Sequence, residues 1–178
     1  MIQQTISKVP KTHEIRPLFN ALTERGMDVA KVHDADAVRY ISNLLTEFVQ
    51  TEKAYSVRDE HGRGLEYLSD LLDAANKAPD PVTRRDRHKH LGDLTLFMLG
   101  LFPERFERSR RAVSAEYYAA QGRRSYNIVA EMGPDTSDPA VYRKLSDHFE
   151  QYVLGLNWVH LYINDPFFQY MFREFGIS

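Results

Sequence analysis

Apolar residues recur at helical spacing over most of the chain, and we find no alternating pattern that would indicate a strand. Steps of three and four residues connect Val38, Ile41, Leu45 and Phe48, which predicts a helix over about residues 35–55. Leucines at similar spacing predict a second amphipathic helix over about residues 65–75. A longer helix over about residues 139–163 is predicted by a seam close to the coiled-coil period, made of Leu145, Phe149, Tyr152, Leu156, Val159 and Ile163.

The most apolar segment lies near the middle of the chain. Within residues 94–102, only Thr95 and Gly100 are not large and apolar. Because successive residues on a helix are 100° apart, such a run leaves no face for solvent. The pattern therefore predicts a buried central helix over about residues 81–101, which ends before Pro103.

Capping residues indicate where several helices begin. Aspartate is a favoured N-cap and proline suits the first helical position, so an Asp-Pro pair predicts a helix start. Three such pairs occur, at Asp80-Pro81, Asp138-Pro139 and Asp165-Pro166. Ser114 is expected to cap a helix that runs to about residue 131. Near the N-terminus, Pro17 is expected to open a short helix that Gly26 ends, followed by an ambiguous, extended-type stretch over residues 27–32.

These elements predict an all-α fold, a single-domain bundle of about six or seven helices around the buried central helix. We expect residues 17–178 to form this domain and residues 1–16, which show little periodicity, to form a flexible arm. The central helix and the one after Ser114 are expected to cross in close contact. The small residues that would permit this approach are Gly92, Gly100, Ala115, Ala119 and Gly122.

Composition narrows the class of protein. The chain of 178 residues is long enough for one hydrophobic core, and its net charge of −2 argues against general attraction to nucleic acid or anionic lipid. It contains no cysteine, which excludes disulfides and thiolate sites and fits a reducing cytoplasm. No signal peptide is evident, and the longest apolar run is about half of the ~20 residues that a membrane span needs. We expect a cytoplasmic protein without a membrane partner.

Charge is concentrated in the middle of the chain. Residues 84–124 contain 10 Lys and Arg against 5 Asp and Glu, whereas both flanking regions are acidic. Such a surface can hold a phosphate-bearing ligand or an acidic protein, or it can pair with the acidic flanks of its own chain. We expect nucleic acid to be the least favoured partner. The candidate binding residues are Arg84, Arg85, His88, His90, Asp93, Arg123 and Arg124.

Histidine and aspartate at the start of the central helix could also carry chemistry. His90 and Asp93 are three residues apart, so they can touch on one helix face, and we expect a partly buried polar pair. The spacing of the HExxH metal motif is absent. A metal-dependent enzyme is an alternative, with ligands assembled across helices from His90, Asp93, His148 and His160. We otherwise expect no metal and no cofactor.

Nothing in the sequence marks a catalytic nucleophile, because no serine lies in a GxSxG motif and no glycine-rich loop follows a strand. The C-terminal residues instead suggest association. Phe168, Met171, Phe172 and Phe175 would line one face of a last helix. That face can dock on the same chain or form a homodimer interface.

Three segments resemble a family of bacterial proteins. They read HKHLGDLTLFMLGLFPE, YSVRDEHGRGLE and QGRRSYNIVAEM, and the likeness extends over residues 38–157. The family is one of uncharacterised all-helical proteins, so the resemblance implies a bacterial, all-α protein and no particular activity. The function that we predict is a non-enzymatic helical binding or regulatory module that self-associates and binds an acidic or anionic partner. A metal- or ligand-dependent enzyme and an RNA- or DNA-binding protein are the alternatives.

Overall fold

The computed structural model describes residues 12–50, 64–104, 106, 114–133 and 139–163, and within these ranges it contains seven long helices and no strand. The predicted all-α fold is confirmed. The helices are α1 (Thr12–Val29), α2 (Ala35–Gln50), α3 (Gly64–Asn76), α4 (Pro81–Leu101), α5 (Ala115–Glu131), α6 (Pro139–Asp147) and α7 (Phe149–Ile163). None of the described helices is long and apolar enough to cross a membrane.

The predicted central helix is α4, and its bounds agree with the sequence pattern. Asp80 caps it by accepting hydrogen bonds from the backbone N–H of Thr83 (2.8 Å) and from the Thr83 hydroxyl (2.7 Å), and Pro81 is its first residue. Every residue from Leu91 to Phe97 is buried. Helices α3, α5 and α7 pack around α4, which explains why its second half needs no polar face.

The first helix is longer than predicted. It begins at Thr12 rather than at Pro17, and it continues through Gly26 to Val29. Gly26 does not end the helix, because it lies where α1 crosses α7. There a Cβ atom would collide with the backbone carbonyl of Gly155. The turn comes later, at Lys31, which has a φ of 58°. Both the expected stop and the expected extended stretch over residues 27–29 were therefore wrong.

The long helix predicted over residues 139–163 is divided at His148 into α6 and α7. The backbone N–H of Gln151 bonds the carbonyl of His148 (3.0 Å), so the chain tightens locally to three-residue spacing. Helix α6 packs on α5, whereas α7 packs on α1 and α4, and the break lets the two halves follow different neighbours. Most of the predicted apolar seam is nevertheless buried: Leu145, Phe149, Tyr152, Leu156 and Val159 are fully enclosed, and Ile163 is partly buried.

Helix α5 lies along α4 as expected, but the small residues do not pair as predicted. The hollow at Gly92 holds the ring of Tyr126, and that at Gly100 holds Leu156 from α7. Gly122 meets Thr95 of α4 and the ring of Phe149. These glycines therefore receive large side chains from neighbouring helices, including α7, because packed interiors leave few voids.

Two other helix ends match their predicted caps. Ser114 accepts a hydrogen bond from the backbone N–H of Tyr117 (3.2 Å), and α5 ends just before Gly133, which has a φ of 86°. The predicted cap at Asp138 and the first eleven residues of the expected arm lie outside the described residues. So does the predicted last helix, with Asp165-Pro166 and the aromatic face of Phe168, Met171, Phe172 and Phe175.

Candidate functional site

Helices α4 and α5 run antiparallel, so the start of one lies beside the end of the other. Three contacts define this alignment, joining His88 to Ser125, Asp93 to Tyr126, and Thr95 to Gly122. Charged and hydroxyl-bearing side chains of the two helices thereby meet. They form two groups about one helical turn apart along α4.

The first group surrounds the carboxylate of Asp93, which is only 4% exposed. Its Oδ1 atom accepts hydrogen bonds from the hydroxyls of Tyr40 (2.6 Å) and Tyr126 (2.8 Å). Its Oδ2 atom accepts from the ammonium group of Lys89 (2.8 Å). We call these four residues the Asp93 cluster. It meets the usual requirement that a buried charge be paired and hydrogen-bonded.

Aromatic packing holds the donors of the Asp93 cluster in place. The Lys89 ammonium lies 5.5 Å from the centre of the Tyr40 ring, and that ring meets Tyr142 edge-on at 5.6 Å. Burial, together with the charge of Asp93, raises the pKa of both Tyr40 and Tyr126. Burial alone would lower the pKa of Lys89, but the charge and hydrogen bond of Asp93 outweigh it and the pKa is raised. Both phenols therefore stay protonated and the lysine stays charged at neutral pH.

The second group surrounds His88, which is 2% exposed. Its Nδ1 atom lies 3.4 Å from the hydroxyl of Ser125, while its Nε2 atom is buried without a hydrogen-bond partner among the described residues. Burial lowers the pKa of His88, and the positive charges of Arg84 and Arg124 lower it further. The ring is therefore held neutral in a positive environment.

Arg84 and Arg124 are both exposed, and neither makes an ion pair with any described residue. The neighbouring basic side chains make ion pairs or hydrogen bonds within the chain. Arg123 pairs with Glu150 of α7, Arg87 donates to the carbonyl of Ala74 (2.6 Å), and Lys89 pairs with Asp93. We call Arg84, His88, Arg124 and Ser125 the basic site, because its two arginines lie on different helices and neither is paired with a carboxylate of a described residue.

The structure therefore divides the seven predicted binding residues. Arg84 and Arg124 both lie near enough to His88 for their charges to lower its pKa, whereas Arg123 pairs with Glu150 of α7. Arg85 lies beside Asp86 at 3.5 Å, with its side chain 17% exposed. His90 is partly exposed on α4. Asp93 receives its same-helix hydrogen bond from Lys89, four residues earlier, rather than in the predicted pair with His90.

Four members of the two groups were not among the predicted binding residues: Tyr40, Lys89, Ser125 and Tyr126. One of them could have been found. Lys89 and Asp93 are four residues apart with opposite charges, which is a recognisable helix pair. Tyr40 and Tyr126 lie 53 and 33 residues from Asp93 along the chain, so local spacing gives no signal for them.

The structure does not bring the alternative metal ligands together. His148 lies exposed in the turn between α6 and α7, and the Nε2 atom of His160 lies 3.3 Å from a carboxylate oxygen of Glu104. Asp93 is already enclosed by its three donors. Within the described ranges, no group of three His, Asp or Glu side chains could hold a metal ion.

A cleft of about 530 Å³ lies elsewhere, between α1 and α2. Its walls include Glu24, Asp28, His33 and Arg39, and at one side the hydroxyl of Ser42 donates to Asn20. Asp28 is itself close to Arg25 (3.6 Å) and His33 (3.7 Å). Its lining carries charges of both signs, so it does not present the single-sign charge of the basic site.

Comparison with known proteins found no match among family models, curated proteins or solved structures. The resemblance to uncharacterised bacterial helical proteins stays a prediction.

Proposed function

We propose that the protein is a non-enzymatic helical binding module whose basic site takes an anionic group, from either a phosphate-bearing ligand or an acidic partner surface. One observation carries the proposal. The positive charges of Arg84 and Arg124, on two different helices, both act on the buried His88, and neither arginine has a carboxylate partner among the described residues. Most other described cations near them are paired or hydrogen-bonded.

Electrostatics supports this choice of ligand. The two guanidinium groups add positive potential at a site where the nearby histidine is already desolvated. An anion between them would offset that potential, and guanidinium groups bind phosphate and carboxylate oxygens through paired hydrogen bonds. Because the whole chain has a net charge of −2, the attraction is local to this site rather than a property of the entire surface.

Titration with inorganic pyrophosphate, followed by amide chemical shifts, tests the proposal. We expect saturable shifts around residues 84–88 and 124–125 of the full chain. The double substitution Arg84→Gln and Arg124→Gln should weaken binding at least tenfold, whereas Arg39→Gln, at an exposed arginine paired with Asp36, should leave it unchanged. Equal binding by the double variant and the parent would contradict the proposal.

The salt dependence of binding distinguishes the proposed anion site from the nucleic-acid alternative. A protein that follows a nucleic-acid backbone loses affinity steeply with added salt, in proportion to the number of phosphates contacted. Two arginines predict a shallow dependence, with a slope near two at most. A steep slope with single-stranded RNA or DNA, and tighter binding than to pyrophosphate, would favour that alternative.

Self-association is the second part of the proposal. Phe168, Met171, Phe172 and Phe175, the predicted interface, lie outside the described residues. Support comes from α7, where Leu154 and Leu161 are exposed. We also place the module in the bacterial cytoplasm, which is supported by the lack of cysteine and by the resemblance given above.

A further inference from the structure

Helix α7 is apolar on two opposite faces. Tyr152, Leu156 and Val159 are fully buried against the bundle. Leu154 and Leu161 face the other way and are 62% and 69% exposed, which makes them the most exposed large apolar residues in the described part of the chain. Single exposed leucines are common, but two on one helix with an aromatic residue between them form a continuous surface.

The two exposed leucines and the partly buried tryptophan between them form a narrow stripe. We call it the α7 stripe and define it as Leu154, Trp158 and Leu161. Their spacing of four and three residues places them within about 60° of the helix circumference. Trp158 is partly buried and stacks on the ring of Tyr162, with centroids 5.4 Å apart and an angle of 21° between the planes. The stack limits the freedom of the indole, so the stripe has a defined shape.

Charge is absent from the α7 stripe and present at both of its ends. No Asp, Glu, Lys or Arg occurs over residues 151–164. At one end Arg123 pairs with Glu150, and at the other His160 lies beside Glu104. An apolar centre between polar pairs is the usual arrangement of a protein interface.

Resting on the self-association proposed above, we infer that a second copy of the chain covers the α7 stripe, with the two α7 helices antiparallel. In this arrangement Leu154 faces Leu161 of the second copy, and the two Trp158 rings meet near the twofold axis. The stripe is complementary to itself because its two leucines are equally spaced about the centre near residues 157 and 158. A twofold interface requires this kind of match.

The size of the α7 stripe sets the strength of the contact. Leu154 and Leu161 are separated by seven residues, or about 10 Å along the helix. A helix pair of this length buries less than the ~1,200 Å² of a typical stable interface, so we expect a dimer with a dissociation constant in the micromolar range. Bringing two uncharged stripes together costs no like-charge repulsion.

Sedimentation velocity of the full chain from about 5 to 500 μM tests the inference. We expect a concentration-dependent monomer–dimer equilibrium. Leu154→Glu with Leu161→Glu should raise the dissociation constant at least tenfold, because the new carboxylates face each other across the twofold axis. Val29→Glu with Val82→Glu is the matched control, since these valines are 52% and 56% exposed on other helices, and it should dimerise like the parent.

A charge-reversal variant tests the antiparallel direction. Leu154→Glu with Leu161→Lys in one chain should dimerise more tightly than Leu154→Glu with Leu161→Glu, because each new glutamate then faces a lysine of the second copy. A parallel pair would place like charges opposite each other in both double variants and give no such preference, which would overturn the proposed arrangement.

The outcomes separate this inference from the proposals on which it rests. If the parent dimerises and the double glutamate variant dimerises equally, the α7 stripe is not the interface although self-association holds. If the parent is monomeric throughout, both the α7 interface and the proposed self-association are wrong, and the proposal of anion binding still stands. A monomeric parent that the double glutamate substitution destabilises would show that residues of the same chain cover the stripe.

Discussion

Two buried polar residues on α4, His88 and Asp93, differ in how fully they are hydrogen-bonded. Asp93 is 4% exposed and its carboxylate accepts three hydrogen bonds, from Tyr40, Tyr126 and Lys89. His88 is 2% exposed, but its ring has one long contact with Ser125 and a buried Nε2 atom without a described partner. The distance between them along the chain is only five residues.

This difference indicates that the Asp93 cluster stabilises the fold, whereas the basic site is available to a ligand. The buried carboxylate of Asp93 accepts from three donors, and the bonds from Tyr40 and Tyr126 tie α2, α4 and α5 together. The contact of the basic site joins α4 to α5, and neither of its arginines is paired with a carboxylate of a described residue. The first group should therefore control stability, and the second should control binding.

Removing the carboxylate of Asp93 should have the largest effect. Asp93→Ala leaves the buried hydroxyls of Tyr40 and Tyr126 without their acceptor and leaves Lys89 unpaired. Breaking a buried pair costs about 3–5 kcal/mol, and we expect about 3 kcal/mol because Lys89, with 35% of its side chain exposed, can turn to solvent. Urea denaturation measures the change. Asp86→Ala, at an exposed aspartate, should stay within about 0.5 kcal/mol, and an equal loss in both variants would contradict the assignment.

A matched pair of tyrosines sharpens the comparison. Tyr126 and Tyr142 are both fully buried, but the Tyr126 hydroxyl donates to Asp93 whereas that of Tyr142 has no described partner. Tyr126→Phe should cost about 1.5–3 kcal/mol, the range for hydrogen bonds to charged groups. Tyr142→Phe should be neutral or stabilising, since it removes an unpaired buried hydroxyl. Similar losses for both, in the same denaturation assay, would show that packing rather than the hydrogen bond matters.

The smallest effect should be a pH dependence that arises from His88. Its folded pKa is lowered, so in mildly acidic solution the unfolded chain binds more protons than the folded one. Stability should therefore fall as the pH drops below about 6.5, the unfolded value, until the pH passes the folded pKa. The midpoint of urea unfolding, compared between pH 8 and pH 5, measures this loss.

Two variants test whether the loss of stability in acid arises from His88. Arg84→Gln with Arg124→Gln should move the pKa of His88 back toward its usual value, although burial still lowers it, and should reduce the loss of stability in acid. His148→Gln, at an exposed histidine, should leave the loss unchanged. A pKa of His88 that does not respond to the arginine substitutions, followed by NMR of its ring, would contradict the basic site.

The sequence predicted well those features that depend on neighbouring residues. The Asp80-Pro81 pair and the uncharged run after Asp93 were sufficient to place the start and the burial of α4. Predictions were wrong where a distant residue overrode a local preference. Gly26 has the chemistry of a helix stop, but contact with Gly155 keeps it inside α1. The apolar seam of α6 and α7 has one period throughout, yet the chain breaks at His148 because each half packs on different helices.

Sequence alone thus determined the helical class, the central helix and the basic character of residues 84–124, since periodicity, caps and charge are properties of adjacent positions. Only the tertiary structure decided which polar groups meet. Asp93 could not be assigned Tyr40 and Tyr126 from spacing, and ten Lys and Arg in that region could not be sorted into paired and unpaired ones. Hydrogen bonds and ion pairs depend on distances in space, and those distances are set only when the helices pack.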